Sequence, residues 1–366
     1  MTSDLVVIPV ADRVRWEAVA LESGVPSHGW SFCAALGDSG PSPSLARISH
    51  QGSVLIMPFV ERPWADTVDI ATITTVSGAS WTAPDAVVLD SWSRHGASQG
   101  WIAGYLQFRP GTELSGVPAA RPGNSVFLID LRVGDLLAGA STIVRRKLNR
   151  ALTAGARLED DRRLLEEAVV RLYPETLLRV RARANYSYSE QTLRRWIRDP
   201  RSLVLGASLG ERIEACVLFL VSSNQAEYHL GASSDEGRSL QAWLLHAGMV
   251  RLREMGVAVL NLGGGVRRGD GLFQFKAKFG GEQCTLHAVR QIYRPDVYRR
   301  LVDDAGVSVD EPWFPAYRAQ AADDHGPARW PGADDPSQAP GGGRMNTVAD
   351  HPGRAAGKTK RSSDAV

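Results

Sequence analysis

Apolar and polar positions in this chain fall into an order of elements that occurs twice. In the first half, helical spacing over 14–21 is followed by strand-type runs over 45–49, 54–60 and 68–74. A helical stretch over 85–95 and a strand over 101–108 complete that half. The first two strands flank His50-Gln51-Gly52, a turn sequence. In the second half, Leu164, Leu165, Ala168, Val169 and Leu172 recur at helical spacing, with Pro174 expected to interrupt. A further helix starts at Ser189 and must end before Pro200. Strand-type runs then cover 202–208, 213–221 and 226–230, the first two joined by a hairpin turn at Leu209-Gly210-Glu211-Arg212. Leu240, Trp243, Leu244 and Ala247 mark one face of a helix closed by Gly256, and a strand over 257–262 runs into Gly263-Gly264-Gly265.

Helix, three strands, helix, strand in each half predicts an α/β (α+β) protein of two similar domains, each a mixed sheet flanked by helices. The domains are expected over 1–123 and 124–317, joined near 124–135. From about Gly326 onward, Pro, Gly and charged residues replace apolar periodicity, so 318–366 reads as a disordered tail.

Composition narrows the function. Cys33, Cys216 and Cys284 contain no Cys-x-x-Cys, so neither a disulfide framework nor a metal site is expected. There is no signal-type apolar core at the N-terminus and no apolar run long enough to span a bilayer, so a cytoplasmic protein without membrane insertion is expected. The formal charge is only +2, yet 141–201 holds 15 Lys or Arg against 8 Asp or Glu. Arg145, Arg146, Lys147, Arg150 and Arg157 form one dense group, and Arg179, Arg181 and Arg183 another. Such a surplus suits nucleic-acid phosphates, and equally a solvated helix face. Only five of the 42 basic residues are lysines, and two of these, Lys276 and Lys278, lie one residue apart. A position that keeps lysine in an arginine-rich chain asks for a compact ammonium rather than a planar fork.

The most informative segment is 260–281. Three glycines after a strand leave main-chain N–H groups free and let a ligand approach. Phe273, Phe275 and Phe279 alternate with polar positions and wall a groove, with Lys276 beside it. This is an anion-binding, partly apolar slot, or else a glycine-rich turn and an edge strand whose aromatics are core. The glycines match neither a dinucleotide fingerprint nor a Walker loop. No nucleophilic triad spacing stands out.

Leu262-Gly263-Gly264-Gly265 followed by Gly271-Leu272-Phe273-Gln274-Phe275-Lys276-Ala277-Lys278-Phe279-Gly280-Gly281 resembles the closing signature of the FemABX family and of BioF2-like acetyltransferase domains in the GNAT superfamily. Ser125–Leu131 and Arg145–Arg157 are similar to that family's inter-domain strand and basic helix, and Tyr228–Ser234 to the strand ending beside its acceptor pocket. The resemblance implies tandem GNAT-like domains and transfer of an acyl or aminoacyl group to an amine. It places Phe275 and Lys276 in the substrate channel, with Gly263, Gly264, Gly265, Phe273, Lys278 and Phe279 as its lining. Tyr228, His229 and Asp270 are candidates for acceptor contacts or proton removal, although a strand histidine also serves as a structural hydrogen-bonding residue. Arg145, Arg146, Lys147 and Arg150 would then meet the donor tRNA.

The donor implied is aminoacyl-tRNA, a co-substrate that leaves no bound cofactor to expect. The acceptor implied is an amine on a cell-wall precursor or a specialised metabolite. Coenzyme A enzymes of the superfamily cradle a pyrophosphate on a glycine-rich helix start. The corresponding Ser233-Ser234-Asp235-Glu236-Gly237-Arg238 has one glycine and two acids, which repel it. An acyl-CoA-dependent N-acetyltransferase is the alternative, and a noncatalytic tRNA- or precursor-binding protein a further one.

Overall fold

The computed structural model describes residues 3–73, 76–114, 116–117, 119–182, 186–265 and 269–319. All lie in a compact unit covering 1–334; a second unit, 335–366, lies outside the described residues. So does the expected tail apart from Arg318 and Ala319.

The strands are β1 (Asp4–Pro9), β2 (Ser44–His50), β3 (Ser53–Trp64), β4 (Thr67–Thr72), β5 (Ser80–Trp81), β6 (Ala103–Gln107) and β7 (Ala120–Asp130). They continue with β8 (Arg157–Glu159), β9 (Ser202–Leu209), β10 (Arg212–Val221), β11 (Gln225–Ser233), β12 (Val259–Asn261) and β13 (Glu282–Ile292). The helices are α1 (Arg13–Ser23), α2 (Trp30–Leu36), α3 (Ala86–Ser98), α4 (Thr142–Thr153) and α5 (Arg162–Arg179). After them come α6 (Glu190–Arg198), α7 (Gln241–Glu254), α8 (Gly271–Ala277) and α9 (Pro295–Asp304).

One mixed sheet takes in every strand, in the order β1-β2-β3-β4-β6-β13-β7-β12-β11-β10-β9-β8, with β5 beside β3. The repeated element order has a structural counterpart. β2, β3 and β4 are antiparallel neighbours and β4 runs parallel to β6; β9, β10 and β11 are antiparallel neighbours and β11 runs parallel to β12. A parallel neighbour needs a crossover, and α3 and α7 supply the two. The tight turns behave as their sequences require: Gln51 and Gly52 take φ 45° and 87°, the two positive values of a hairpin turn whose twist matches the strands.

Three features differ from the sequence reading. Pro174 does not end α5 but lies within it, on the exposed side of the helix. The turns before it bury Leu165, Val169 and Leu172, and the turn after it is tied to β11 by Thr176 Oγ1 and Arg179 Nη1, both donating to the Ser233 carbonyl. β13 enters the sheet between β6 and β7, so the last strand of the second half pairs with both halves. The stretch over 271–277 is a helix, not an alternating strand.

Helices cover both faces. On one, α4, α7 and the turn that follows α8 bury Leu148, Leu244, Met249 and Phe279 against Phe127, Tyr228 and Leu260. On the other, α1, α2, α5 and α6 form one layer over both halves, joining Trp16, Phe32 and Ile56 with Leu165, Trp196 and Leu218. No helix among the described residues is long and apolar enough to cross a membrane.

Candidate active site

The parallel pair β11 and β12 stays together for three residues, Gln225–Val259, Ala226–Leu260 and Glu227–Asn261. Past Asn261 the chain remains on β7, with Leu262 N–H donating to the Phe127 carbonyl (2.9 Å) and Phe127 N–H to that of Gly263 (3.2 Å). β11 meanwhile continues on β10 as far as Ser233. A split therefore opens between the parallel strands at the carboxyl end of β12, beside the continuing β11, and open α/β sheets place their ligands at strand carboxyl ends.

The glycines serve this split through their missing side chains. A β-carbon on Gly264 would stand 1.9 Å from the Ser125 carbonyl oxygen, so β7 can pass only a glycine there. Gly263 has φ +68°, and a β-carbon on it would come within 2.6 Å of Val76 Cγ1 and 3.0 Å of Lys276 Nζ. Gly265 gives its carbonyl to Asn124 Nδ2. The expectation of free main-chain amides needs correcting at Gly263, whose N–H donates to Asn261 Oδ1 at 2.8 Å.

Asp270 starts α8 by accepting the Phe273 N–H on its carboxylate, at 2.8 Å. The helix then carries Lys276 inward. That side chain is only 5% exposed, and its Nζ lies 5.4 Å from the centre of the Tyr228 ring. Burial brings the amine down to about 7 from its ordinary 10.5, with Asp270 pulling the other way. Helical geometry also sorts the aromatics. Phe273 packs on Phe127 (4.8 Å between centroids), and Phe275 meets Phe279 one turn on (5.5 Å). Lys278 ends the helix, its carbonyl accepting the N–H of Ser141 at the start of α4.

That junction sets α4 beside the split. Lys147 Nζ stands 5.9 Å from the Phe275 ring centre, next in sequence to Lys276. Arg146 and Arg150 are exposed and make no ion pair among the described residues; Arg145 reaches Asp135 and the Leu137 carbonyl. The second basic group is dispersed. Arg179 is bound to Ser233 and Asp235, Arg181 is exposed, and Arg183 lies outside the described residues.

His229 does not join the others. A register shift between Leu218–Leu230 and Phe219–Tyr228 leaves it the unmatched residue of β11, turned to the far face. There it sits edge-on to Phe32 and Trp196 with Nε2 unpartnered, and burial brings its pKa down to about 3. Tyr228 faces Lys276, and burial pushes its phenol above the usual range.

Sequence reasoning passed over several groups at the split. Asn261 is buried and its Nδ2 donates to the Val76 carbonyl at 3.0 Å. Glu227 is 1% exposed and accepts from Ser27 Oγ at 3.1 Å. Burial raises its carboxyl to about 7 despite hydrogen bonds from Ser77 and Ser27. Next to Ser27, His28 donates from Nε2 to the Gly78 carbonyl at 2.8 Å. The available signals were an acid inside the apolar run 226–230 and an Asn two residues before a glycine, a turn-forming spacing. A cavity of about 500 Å³ on the far face, lined by Phe32, Leu220 and Arg201, is a separate feature; its charges pair among themselves, Arg201 with Glu17 and Asp199.

No protein-family model and no curated protein sequence matches the chain. Solved structures do. FemX aligns over 82% of this chain and 99% of its own, at 14% identity and a TM-score of 0.61. L-PGS from Bacillus licheniformis aligns over 76% of this chain and 91% of its own, at 15% identity and a TM-score of 0.51. A DUF2156 domain from Agrobacterium fabrum, described as the C-terminal domain of a lysylphosphatidylglycerol synthetase, aligns over 76% and 92%, at 17% identity and a TM-score of 0.52. At such identities what is shared is the fold, and it is the FemABX-type fold that the motif over 262–281 resembles.

Proposed function

We propose that this protein is an N-acyltransferase that moves an aminoacyl group from aminoacyl-tRNA to an amine of a cell-wall precursor or specialised metabolite. The observation that carries the reading is Lys276, a buried amine held near neutrality at the split between β11 and β12. Aminolysis of an ester starts from an acceptor ammonium, which must lose a proton before it can attack. An amine with a pKa of about 7 is largely available as a base at physiological pH, whereas an exposed lysine is not. After taking the proton, Lys276 is a cation at the point where the attacked carbonyl oxygen becomes negative. The C–N bond forms, the ester C–O bond breaks, and the leaving ribose oxygen recovers a proton from Lys276. One proton is released overall. Tyr228 supplies a ring face for the cationic form, and Phe273 and Phe275 wall the approach from α8.

Two features support tRNA over a CoA thioester as donor. α4 presents Arg146 and Arg150 to solvent, and its Lys147 borders Phe275, so positive charge leads up to the split. At the end of β11, where CoA enzymes hold a pyrophosphate, Gly237 is used for packing: a β-carbon there would stand 1.9 Å from the Glu214 carbonyl oxygen. Asp235 and Glu236 flank it with the wrong charge.

The test is to offer labelled aminoacyl-tRNA and labelled acyl-CoA, each with a panel of amines, and to identify the amide by mass spectrometry. Amine-dependent loss of label from the tRNA is expected. Loss from the thioester alone would overturn the donor. Lys276→Ala should lower turnover about 10²–10⁴-fold, the range for a positioned base. Lys276→Arg should rescue little, since a guanidinium stays protonated. Full activity in both variants would refute the role given to Lys276, and binding without turnover from either donor would favour a noncatalytic binder.

A further inference from the structure

The width of the split is set at atoms outside α8. Asn261 is the last residue of β12 to face both neighbours, opposite Glu227 on β11 and Leu128 on β7. Its carboxamide is used at both ends. Oδ1 accepts the Gly263 N–H two residues on, an Asx-type turn that fixes Gly263 at φ +68°. Nδ2 donates to the Val76 carbonyl and lies 3.5 Å from Ser77 Oγ, on a loop that follows β4 in the first half of the chain. Val76 and Lys276 then press on Gly263 together, at 2.6 and 3.0 Å from where a β-carbon would be. One buried side chain thus joins two segments distant in sequence: the Val76–Ser77 loop, and the end of β12 with the Gly263 floor under the Lys276 amine.

We propose that Asn261 is a positioning residue for Lys276, its carboxamide holding Gly263 and Val76 together so that the amine is enclosed between the Gly263 backbone and the Tyr228 ring. With that clamp removed, Gly263 is released from its left-handed turn, the Val76 loop loses its anchor, and water reaches the amine. Among the described residues, the charged and titratable groups near the split around Lys276 are Asp270 at the start of its own helix, the Tyr228 phenol and the Glu227 carboxyl on β11, and Lys147 on α4 across Phe275. None of these is altered by replacing Asn261, so a change in the behaviour of the amine reports the clamp.

The idea rests on the importance given to Lys276, but its test needs neither donor nor acceptor. The full-length protein is treated with an amine-acylating reagent across pH 5–11, and modification of Lys276 is followed by peptide mass spectrometry. Only a neutral amine reacts, so the profile gives the protonation midpoint directly. In the wild type it should lie near 7. Asn261→Ala should move it upward by at least one pH unit, which is about a tenfold fall in the neutral fraction below the midpoint. Asn261→Ser keeps an oxygen able to accept the Gly263 N–H and should show a smaller shift, which covers the case in which the alanine variant fails to fold. Thermal melting establishes folding for each. A folded Asn261→Ala, or in its place a folded Asn261→Ser, with the wild-type midpoint would overturn the proposal. A shifted midpoint in a protein without transferase activity would sustain the clamp while removing the function above.

Discussion

Burial takes the charge of an amine out of water, and among the described residues Lys276 receives in exchange the ring face of Tyr228 and the field of Asp270. The consequence for stability has a definite sign. Between about pH 7 and the ordinary 10.5, the unfolded chain holds a proton at this lysine that the folded chain does not. Stability therefore rises with pH through that window, and below it the fold carries the whole desolvation cost. Lys276→Met keeps the length of the side chain and removes the charge. It should be more stable than the wild type at pH 6 by roughly 2–4 kcal/mol, with the gain fading toward pH 10.5. Denaturant unfolding at the two pH values measures this, and equal stabilities at pH 6 would mean that the lysine is not enclosed. A residue that weakens its own fold is retained for what it does, which favours Lys276 over the neighbouring candidates. His229 is also a buried base, with Nε2 unpartnered, but it lies on the far face, among aromatics.

The helix that delivers Lys276 is seven residues long, too short to be stable by propensity, so its cap matters. Asp270 has two separable effects on it. Its oxygen holds the first turn through the Phe273 N–H, and its charge raises the Lys276 pKa. Asp270→Asn preserves the acceptor and removes the charge, so the Lys276 midpoint should fall while stability hardly changes. Asp270→Ala loses the cap as well and should cost about 1 kcal/mol. Equal losses in the two variants would show that charge, not capping, holds α8. The same segment shows why some elements were legible in the sequence and others were not. Phe273, Phe275 and Phe279 fit period two as well as Phe275 and Phe279 fit one helical turn, and seven residues are too few to choose between them. The repeated strands and the crossover helices α3 and α7 were legible because each has an apolar face set by local spacing. β13 was not, since its place depends on pairing with β6 and β7, about 150–190 residues away in sequence by its register. The same holds for the site. Lys276 and its glycines form one motif, whereas Val76, Glu227 and Asn261 meet it only through tertiary contact.

Across the whole molecule, the two similar halves are interlocked. β13 lies between β6 and β7, and the layer of α1, α2, α5 and α6 buries side chains of both halves in one core. Past α9 the chain returns to the first half and is fixed there. Asp69 on β4 has no exposure, and it accepts from Arg62 Nε at 2.7 Å, Tyr317 Oη at 2.8 Å and Arg318 Nε at 2.6 Å. Arg318, which the sequence placed in the tail, is therefore a buried structural residue: it also donates to the carbonyls of Arg62 and Pro63. With β13 between them, a core shared by both halves on one face and this ionic anchor, the two halves are packed as one body. The described body should unfold in a single transition, with tryptophan fluorescence and far-UV circular dichroism coinciding. Asp69→Asn leaves two guanidinium groups without their carboxylate in a buried setting and should lower stability by about 3–5 kcal/mol, the scale for breaking a buried ion pair. It should do so without dividing the transition, because the anchor adds to an interlock that β13 already provides. Two separated transitions in the wild-type protein would mean that the halves fold independently, and the split holding Lys276, which Val76 of the first half helps to close, would then have to form after both.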